Sequence, residues 1–409
     1  MRIKKNTFLY TIPFFILLFQ QAIINNTTGL LNSMFSYLDE FYVVLLLLLL
    51  IKNNGLNKLK KDKNDFIIFI LWCIFLIVGL VSGIISRYVP VQWLFIDAFI
   101  CSKFLIVYFS IKYCGDRIIN ISGIVKGCKY CVLLFAFGSV LNIFIPLFPR
   151  GEYRYIMDSV QLFFGHPTFY AAASITCVCV MIAGEAFTKN KLNEKFIYLG
   201  LLCVFSTLRM KAIAAALGVL FLYIYFIKLK LKNKKIAILF AAVVALLLGY
   251  DQISFYYGDN YLYDENFIRA RMMRDSFKIA NQLFPLGSGF GSFASDAARK
   301  AHSILYSVYN YSLDSKFLTD TFWPIVIAQC GWIGLIAFCT VIEMMMKSVF
   351  NVLKQDRWIF CSSCSIMLYL LIATSGESAF FHPVCIPMFM LIGFNSKNMM
   401  ISRKQGDFR

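Results

Sequence analysis

Charge is scarce in this chain. Only 15% of its 409 residues are Asp, Glu, Lys or Arg, whereas soluble domains carry about 25%. Hydrophobic residues reach 59%, and 42 Phe with 22 Tyr present more apolar surface than one water-soluble core can hide. That excludes a soluble enzyme and a disordered chain. Histidine is rarer still, at three residues (His166, His302 and His382), and their separation matches no zinc motif. Cysteine is present, at 13 residues, but a framework is lacking. Most lie inside apolar runs (Cys73, Cys101, Cys177, Cys179, Cys203, Cys330, Cys339), where Cys behaves as a small hydrophobe. The CxxC pairs Cys128/Cys131 and Cys361/Cys364 have no second pair or histidine beside them, so neither a metal nor a disulfide scaffold is expected. Gly287-Ser288-Gly289-Phe290-Gly291 lacks the GxGxxG spacing and a preceding strand, which excludes a dinucleotide site. No cofactor is expected, and no internal repeat is visible.

What the chain has is long apolar runs, with a mean hydropathy of +0.69. A spanning helix needs about 20 such residues. The runs predict an all-α polytopic membrane bundle of about 12 spans, near 8–24, 36–51, 66–86, 92–112, 124–148, 167–187, 195–209, 210–229, 235–253, 321–347, 357–374 and 378–395. The stretch from Phe196 to Leu229 is too long for one span and is broken by Arg209 and Lys211, so two short helices meeting at an apex are expected. Arg2, Lys4 and Lys5 resemble the start of a signal peptide, but no small-residue cleavage site follows, which favours a first span. Residues 1–253 form spans 1–9, 254–320 one long loop, and 321–409 spans 10–12 with a tail.

The net charge of +18 sorts by side. With the N-terminus inside, 27 of the 40 Lys and Arg fall in the inner segments, while the short outer connections hold Arg87, Arg150, Arg154, Arg209 and Lys211. The positive-inside rule then places both termini in the cytoplasm and the 254–320 loop outside. The basic excess is topological and gives no reason to expect nucleic acid. Function is expected on the outer face.

Several outer residues carry chemistry. Helical spacing over Asn266 to Lys278 puts Arg271, Arg274 and Lys278 on one face, with Phe267, Met273 and Phe277 at its edge. That face is either solvated, lying at the membrane interface over lipid headgroups, or a diphosphate clamp, because guanidinium forks bind phosphate bidentately. Arg150 and Arg154 either pair within their loop to Glu152 or Asp158 or join such a clamp. Arg209 and Lys211, two cations in an apolar stretch, need partners or a wet cavity. His302 is the first candidate for proton handling, with Asp320, Glu377 and Asp314 as carboxylate alternatives. Inside the membrane, Asp97 is expected near the outer end of its span and Lys103 against another helix.

This pattern resembles the O-antigen polymerase and ligase family of bacterial surface-polysaccharide proteins (Wzy-type polymerases and lipopolysaccharide ligases). Three places carry the resemblance: Arg150 through Gly165-His166-Pro167-Thr168; Ser206-Thr207-Leu208-Arg209; and Arg271 before Phe284-Pro285-Leu286-Gly287-Ser288-Gly289-Phe290-Gly291, closing on Asp320-Thr321 ahead of Gly331-Trp332-Ile333-Gly334. Asp320-Thr321 stands where the ligases carry a His-led pair, which argues for a polymerase. The resemblance implies a helical bundle whose long extracytoplasmic loop caps a cavity, in a bacterial cell membrane. It implies undecaprenyl-diphosphate-linked oligosaccharides as donor and acceptor, with membrane lipid, a chain-length regulator and a flippase as partners. Arg150, Arg154, His166, Arg209, Lys211, Arg271 and Arg274 would bind substrate, and His302 or Asp320 would take a proton. The leaving group is already activated, so no nucleotide or metal is required. A ligase or a lipid-linked oligosaccharide flippase is the alternative.

Overall fold

The computed structural model describes residues 7–114, 121–155, 157–188, 193–231 and 267–405. The expected span at 235–253, the start of the long loop and the extreme termini lie outside these residues. Within them, seven helices are long and apolar enough to cross a membrane: 29–52, 63–86, 91–113, 122–142, 167–187, 210–228 and 317–352. A bent pair, Leu9–Leu18 and Gln20–Asn26, turns by 51° and would make an eighth span. The chain is therefore an all-α, multi-pass membrane protein, and its described strands are one two-residue pair.

The helices are α1 (Ile12–Leu18), α2 (Gln20–Asn26), α3 (Gly29–Ser36), α4 (Leu38–Lys52), α5 (Lys63–Ser86), α6 (Val91–Tyr113), α7 (Ser122–Phe144), α8 (Pro167–Thr188), α9 (Asn193–Phe205), α10 (Met210–Leu222), α11 (Ile268–Gln282), α12 (Trp323–Val352), α13 (Arg357–Ala373) and α14 (Cys385–Gln405). Two differences from the sequence reading matter. The helix α9 has 13 residues, about 20 Å, yet it runs back to the end where α8 starts, since Thr168 and Arg209 line one cleft. The last helix starts at Cys385, not at 378. Residues 374–384 are instead a run of turns, because Gly376, Ser378 and Pro383 interrupt the helix while Phe380 and Phe381 supply the apolar signal.

Those two phenylalanines serve packing. Phe104 of α6 lies 5.6 Å from Phe380 and 5.0 Å from Phe389 of α14. Phe322, at the start of α12, lies 5.0 Å from Phe381, the two rings tilted by 36°. Such ring pairs contribute about 1 kcal/mol each beyond their burial. They fix the 374–384 turns against the turn that carries Asp320.

Charge inside the bundle is paired. Lys103 lies 2.5 Å from Asp39 and 2.8 Å from Glu40, both on α4, so it does meet another helix. Gln20 donates to Asp39 at 2.8 Å. Lys112 sits 2.7 Å from Asp65, which also accepts from the Tyr113 hydroxyl at 2.7 Å.

Residues 285–295 form a strap wedged between α5, α6 and α12. At Gly331 the backbone of α12 leaves helical geometry (φ 57°, ψ −159°). The amides of Ser288 and Gly289 fill the gap by donating to the carbonyls of Ala328 and Gln329, each at 2.8 Å. Asp97, fully buried near the start of α6, accepts from the Gly291 amide at 2.7 Å and the Ser295 hydroxyl at 2.9 Å. The glycines are required by close approach: a Cβ on Gly289 (φ +90°) would meet Gly83 Cα at 2.1 Å, and one on Gly287 would meet Gly331 N at 2.4 Å. Two of the motif segments that carry the family resemblance thus touch one another and build the scaffold.

Two backbone clashes with no side chain to move make Gly289→Ala a severe change. It should lower stability by about 3 kcal/mol, read as a fall in the thermal midpoint of the detergent-solubilised protein. Gly123→Ala, where a Cβ meets nothing within 4 Å, should stay within about 0.5 kcal/mol. Equal midpoints for both variants would remove the strap from the scaffold.

Candidate functional site

One end of the bundle gathers the start of α8, the apex between α9 and α10, the end of α13 with its following turns, and the turn before α12. The apex forms because the apolar run stops at Ser206-Thr207-Leu208, with Leu208 at φ +49°. The carbonyl of Ser206 then accepts from the Val160 amide at 3.1 Å. Arg209 occupies the N-cap of α10, and Lys211 follows in the first turn.

The cations and carboxylates at this end form three groups. Glu152 accepts from Arg154 at 2.7 Å and lies 3.6 Å from Arg209. A short hairpin, β1 (Tyr153–Arg154) against β2 (Met157–Asp158), carries Arg154. Glu377, in the turns after α13, sits 2.6 Å from Lys211 and accepts from Thr168 Oγ1 at 3.4 Å. Asp320 holds Arg269 of α11 at 2.8 Å, and the Arg269 guanidinium lies over the Phe317 ring at 4.9 Å. A small open cleft is lined by Thr168, Arg209, Lys211, Tyr369 and Glu377 together with small alanines.

Among these charges lies His166, just before α8. The surrounding protein, then Arg209, lower its pKa below the usual imidazole value, against the pull of Glu377 and Asp320; Lys211 lowers it further. Its Nδ1 accepts from the Thr168 amide at 3.3 Å, so the neutral ring carries its proton on Nε2. Glu152 is shifted down by its hydrogen bond from Arg154 and by the charge of Arg209. His382 stacks on Phe169 of α8, with ring centroids 5.0 Å apart.

Of the residues singled out in the sequence, Arg154, His166, Arg209, Lys211 and Asp320 meet at this end. Arg150 stands beside them but is turned to its own loop, 3.4 Å from Asp158 and 2.9 Å from the Asn142 carbonyl. Arg271 and Arg274 belong to another network. Asp275, 2% exposed, sits 3.3 Å from Arg274, 3.4 Å from Lys278 and 3.8 Å from Arg271, and accepts from the Tyr311 hydroxyl at 2.8 Å. The Arg271 guanidinium also lies over the Tyr311 ring at 4.6 Å and donates to the Tyr309 carbonyl. The basic face of α11 is therefore drawn onto one buried carboxylate.

His302 is exposed, in a turn at φ +52° whose next residues bond to Tyr88, between α5 and α6. It shares no hydrogen bond, ion pair or ring contact with the cluster among the described residues. Arg269 and Tyr369 were not singled out in the sequence, and Thr168 only as the end of the Gly165-His166-Pro167-Thr168 motif. Arg269 is two residues, about 200° of helix, from Arg271, so the search for one basic face passed it over. Among the described residues no group of His, Cys, Asp and Glu could hold a metal ion. No protein-family model matches the chain, and no curated protein gives a significant sequence match.

The lowered pKa of His166 has a testable sign. As pH falls through about 6.5 the unfolded chain binds a proton that the folded one resists, so stability decreases there. The thermal midpoint in detergent should fall between pH 7 and 5, and the fall should be shallower in His166→Asn. Identical slopes would mean that the ring titrates as it does in water.

Proposed function

We propose that this protein is a polymerase that joins polyprenyl-diphosphate-linked oligosaccharide repeat units into a surface polysaccharide. The observation that carries the reading is the meeting of Arg209 and Lys211 with Glu377 and Thr168 in one cleft at the end of the bundle. Transfer of a glycan from its lipid breaks the bond between the anomeric carbon and the diphosphate. Negative charge then grows on the leaving oxygen, and preorganised cations in a poorly hydrated site stabilise it. Arg209 offers the planar fork that suits phosphate, and Lys211 a compact charge beside it.

The charge distribution supports an extracytoplasmic site in a bacterial cell membrane. The helices α12 and α13 carry the cluster at one end, and Lys347, Lys354 and Arg357 mark the other. By the positive-inside rule the lysine-rich end is cytoplasmic. On this reading the chain has about 12 spans with the 254–320 loop over the site, and both termini inside. Arg209 and Lys211 replace the basic face of α11 as the diphosphate clamp, because Arg271 and Arg274 are held by Asp275.

Removing one such donor costs about 100- to 1,000-fold in rate. Arg209→Ala should therefore leave single repeat units on the lipid while the protein remains inserted. Arg271→Ala should act through stability, lowering the amount of protein more than the rate per molecule. Polysaccharide of wild-type length from Arg209→Ala would end the clamp assignment. Deleting the gene and running the surface polysaccharide on a gel separates the classes: single lipid-linked units mark a polymerase, unattached full chains a ligase, and no exported units a flippase.

A further inference from the structure

We propose that Glu377 accepts the proton of the attacking hydroxyl, and that Lys211 withholds this carboxylate until the donor's diphosphate arrives. The inference rests on the polymerase reading above and deepens it. Glu377 lies 2.6 Å from Lys211, with side chains 28% and 17% exposed, and both line the cleft with Thr168 and Arg209. The other candidates for the proton are turned elsewhere. Asp320 holds Arg269 and does not line the cleft. Glu152, 68% exposed, bridges Arg154 and Arg209. His166 uses Nδ1 to accept from the Thr168 amide, and its Nε2 carries a hydrogen, so the ring is a donor. That leaves one carboxylate in the cleft, and the Lys211 ammonium lies against it at 2.6 Å.

A diphosphate carries more charge than a carboxylate and presents more acceptor oxygens to an ammonium. On its arrival Lys211 exchanges Glu377 for phosphate oxygens. Glu377 keeps the Thr168 hydroxyl and, without its cation, becomes a stronger base. The acceptor hydroxyl oxygen then bonds to the anomeric carbon as the bond from that carbon to the diphosphate oxygen breaks. The bonding pair leaves with the diphosphate, held by Arg209 and Lys211. The hydroxyl proton passes to Glu377 and from there to water. Because the base is exposed only when the donor is seated, the cleft activates no nucleophile in the donor's absence.

The test uses the full-length protein in detergent, with lipid-linked repeat units extracted from the deletion strain as substrate and inorganic pyrophosphate as the binding probe. Rates are counted per molecule of protein that elutes folded and monodisperse from a sizing column, so misfolded protein does not enter. Glu377→Gln should elongate about 100-fold or more slowly, bind pyrophosphate several-fold more tightly because Lys211 is released, and be rescued in part by Glu377→Asp. Wild-type elongation by Glu377→Gln, with Arg209→Ala inactive, overturns the base assignment and leaves the polymerase reading standing. Unchanged or weaker pyrophosphate binding in Glu377→Gln overturns the exchange. Wild-type elongation by both Glu377→Gln and Arg209→Ala removes the polymerase reading itself.

Discussion

A charge buried in an apolar bundle must have a partner, and this one constraint organises the molecule. An unpaired ion costs several kcal/mol to hold away from water. Lys103 and Lys112 answer it by binding carboxylates on neighbouring helices, and Asp97 by taking two hydrogen bonds from the strap. These contacts have no solvent with which to exchange, so they hold helices together. At the cluster the same rule operates at a cleft open to solvent. Lys211 and Glu377 satisfy each other there, and the function proposed above has an incoming anion replace one partner. On that proposal, what separates scaffold from site is whether a pair can be traded.

The strap and the aromatic core then decide where the traded pair stands. Phe322 and Phe381 pack against one another, and each neighbours a turn that carries a carboxylate, Asp320 on one side and Glu377 on the other. Packing of this kind holds side chains to fractions of an ångström, which polar loops by themselves do not. The chemistry proposed for the cleft thus depends on rings that never touch it.

Much of this was legible in the sequence. The spans at 66–86, 92–112 and 167–187 lie within helices 63–86, 91–113 and 167–187, because long apolar runs admit no other structure in a membrane. The break at Arg209 was legible for the converse reason, two cations in an apolar stretch. The turns at 374–384 were misread because Phe380 and Phe381 look like the start of a span, whereas they serve tertiary packing. The basic stripe of α11 was read correctly as a stripe and differently as a site. Helical spacing shows which residues share a face but not that Asp275, in the same string, collects their charge. Glu377 was visible as one of three carboxylate alternatives for proton handling, but not as the partner of Lys211, since that pairing joins residues 166 positions apart.

The strap between α5 and α12 also sets an order of assembly. Ser82 of α5 donates to the Gly287 carbonyl across 205 residues of chain. The kink that receives the strap is at Gly331, which leaves the ribosome later still. During synthesis the groove beside α5 therefore waits, unfilled, while most of the bundle inserts. Contacts so distant in sequence form slowly, since a long loop must close before they contribute. The last third of the protein acts as the clasp of the first, and a chain truncated before α12 would leave the earlier helices inserted but unlocked.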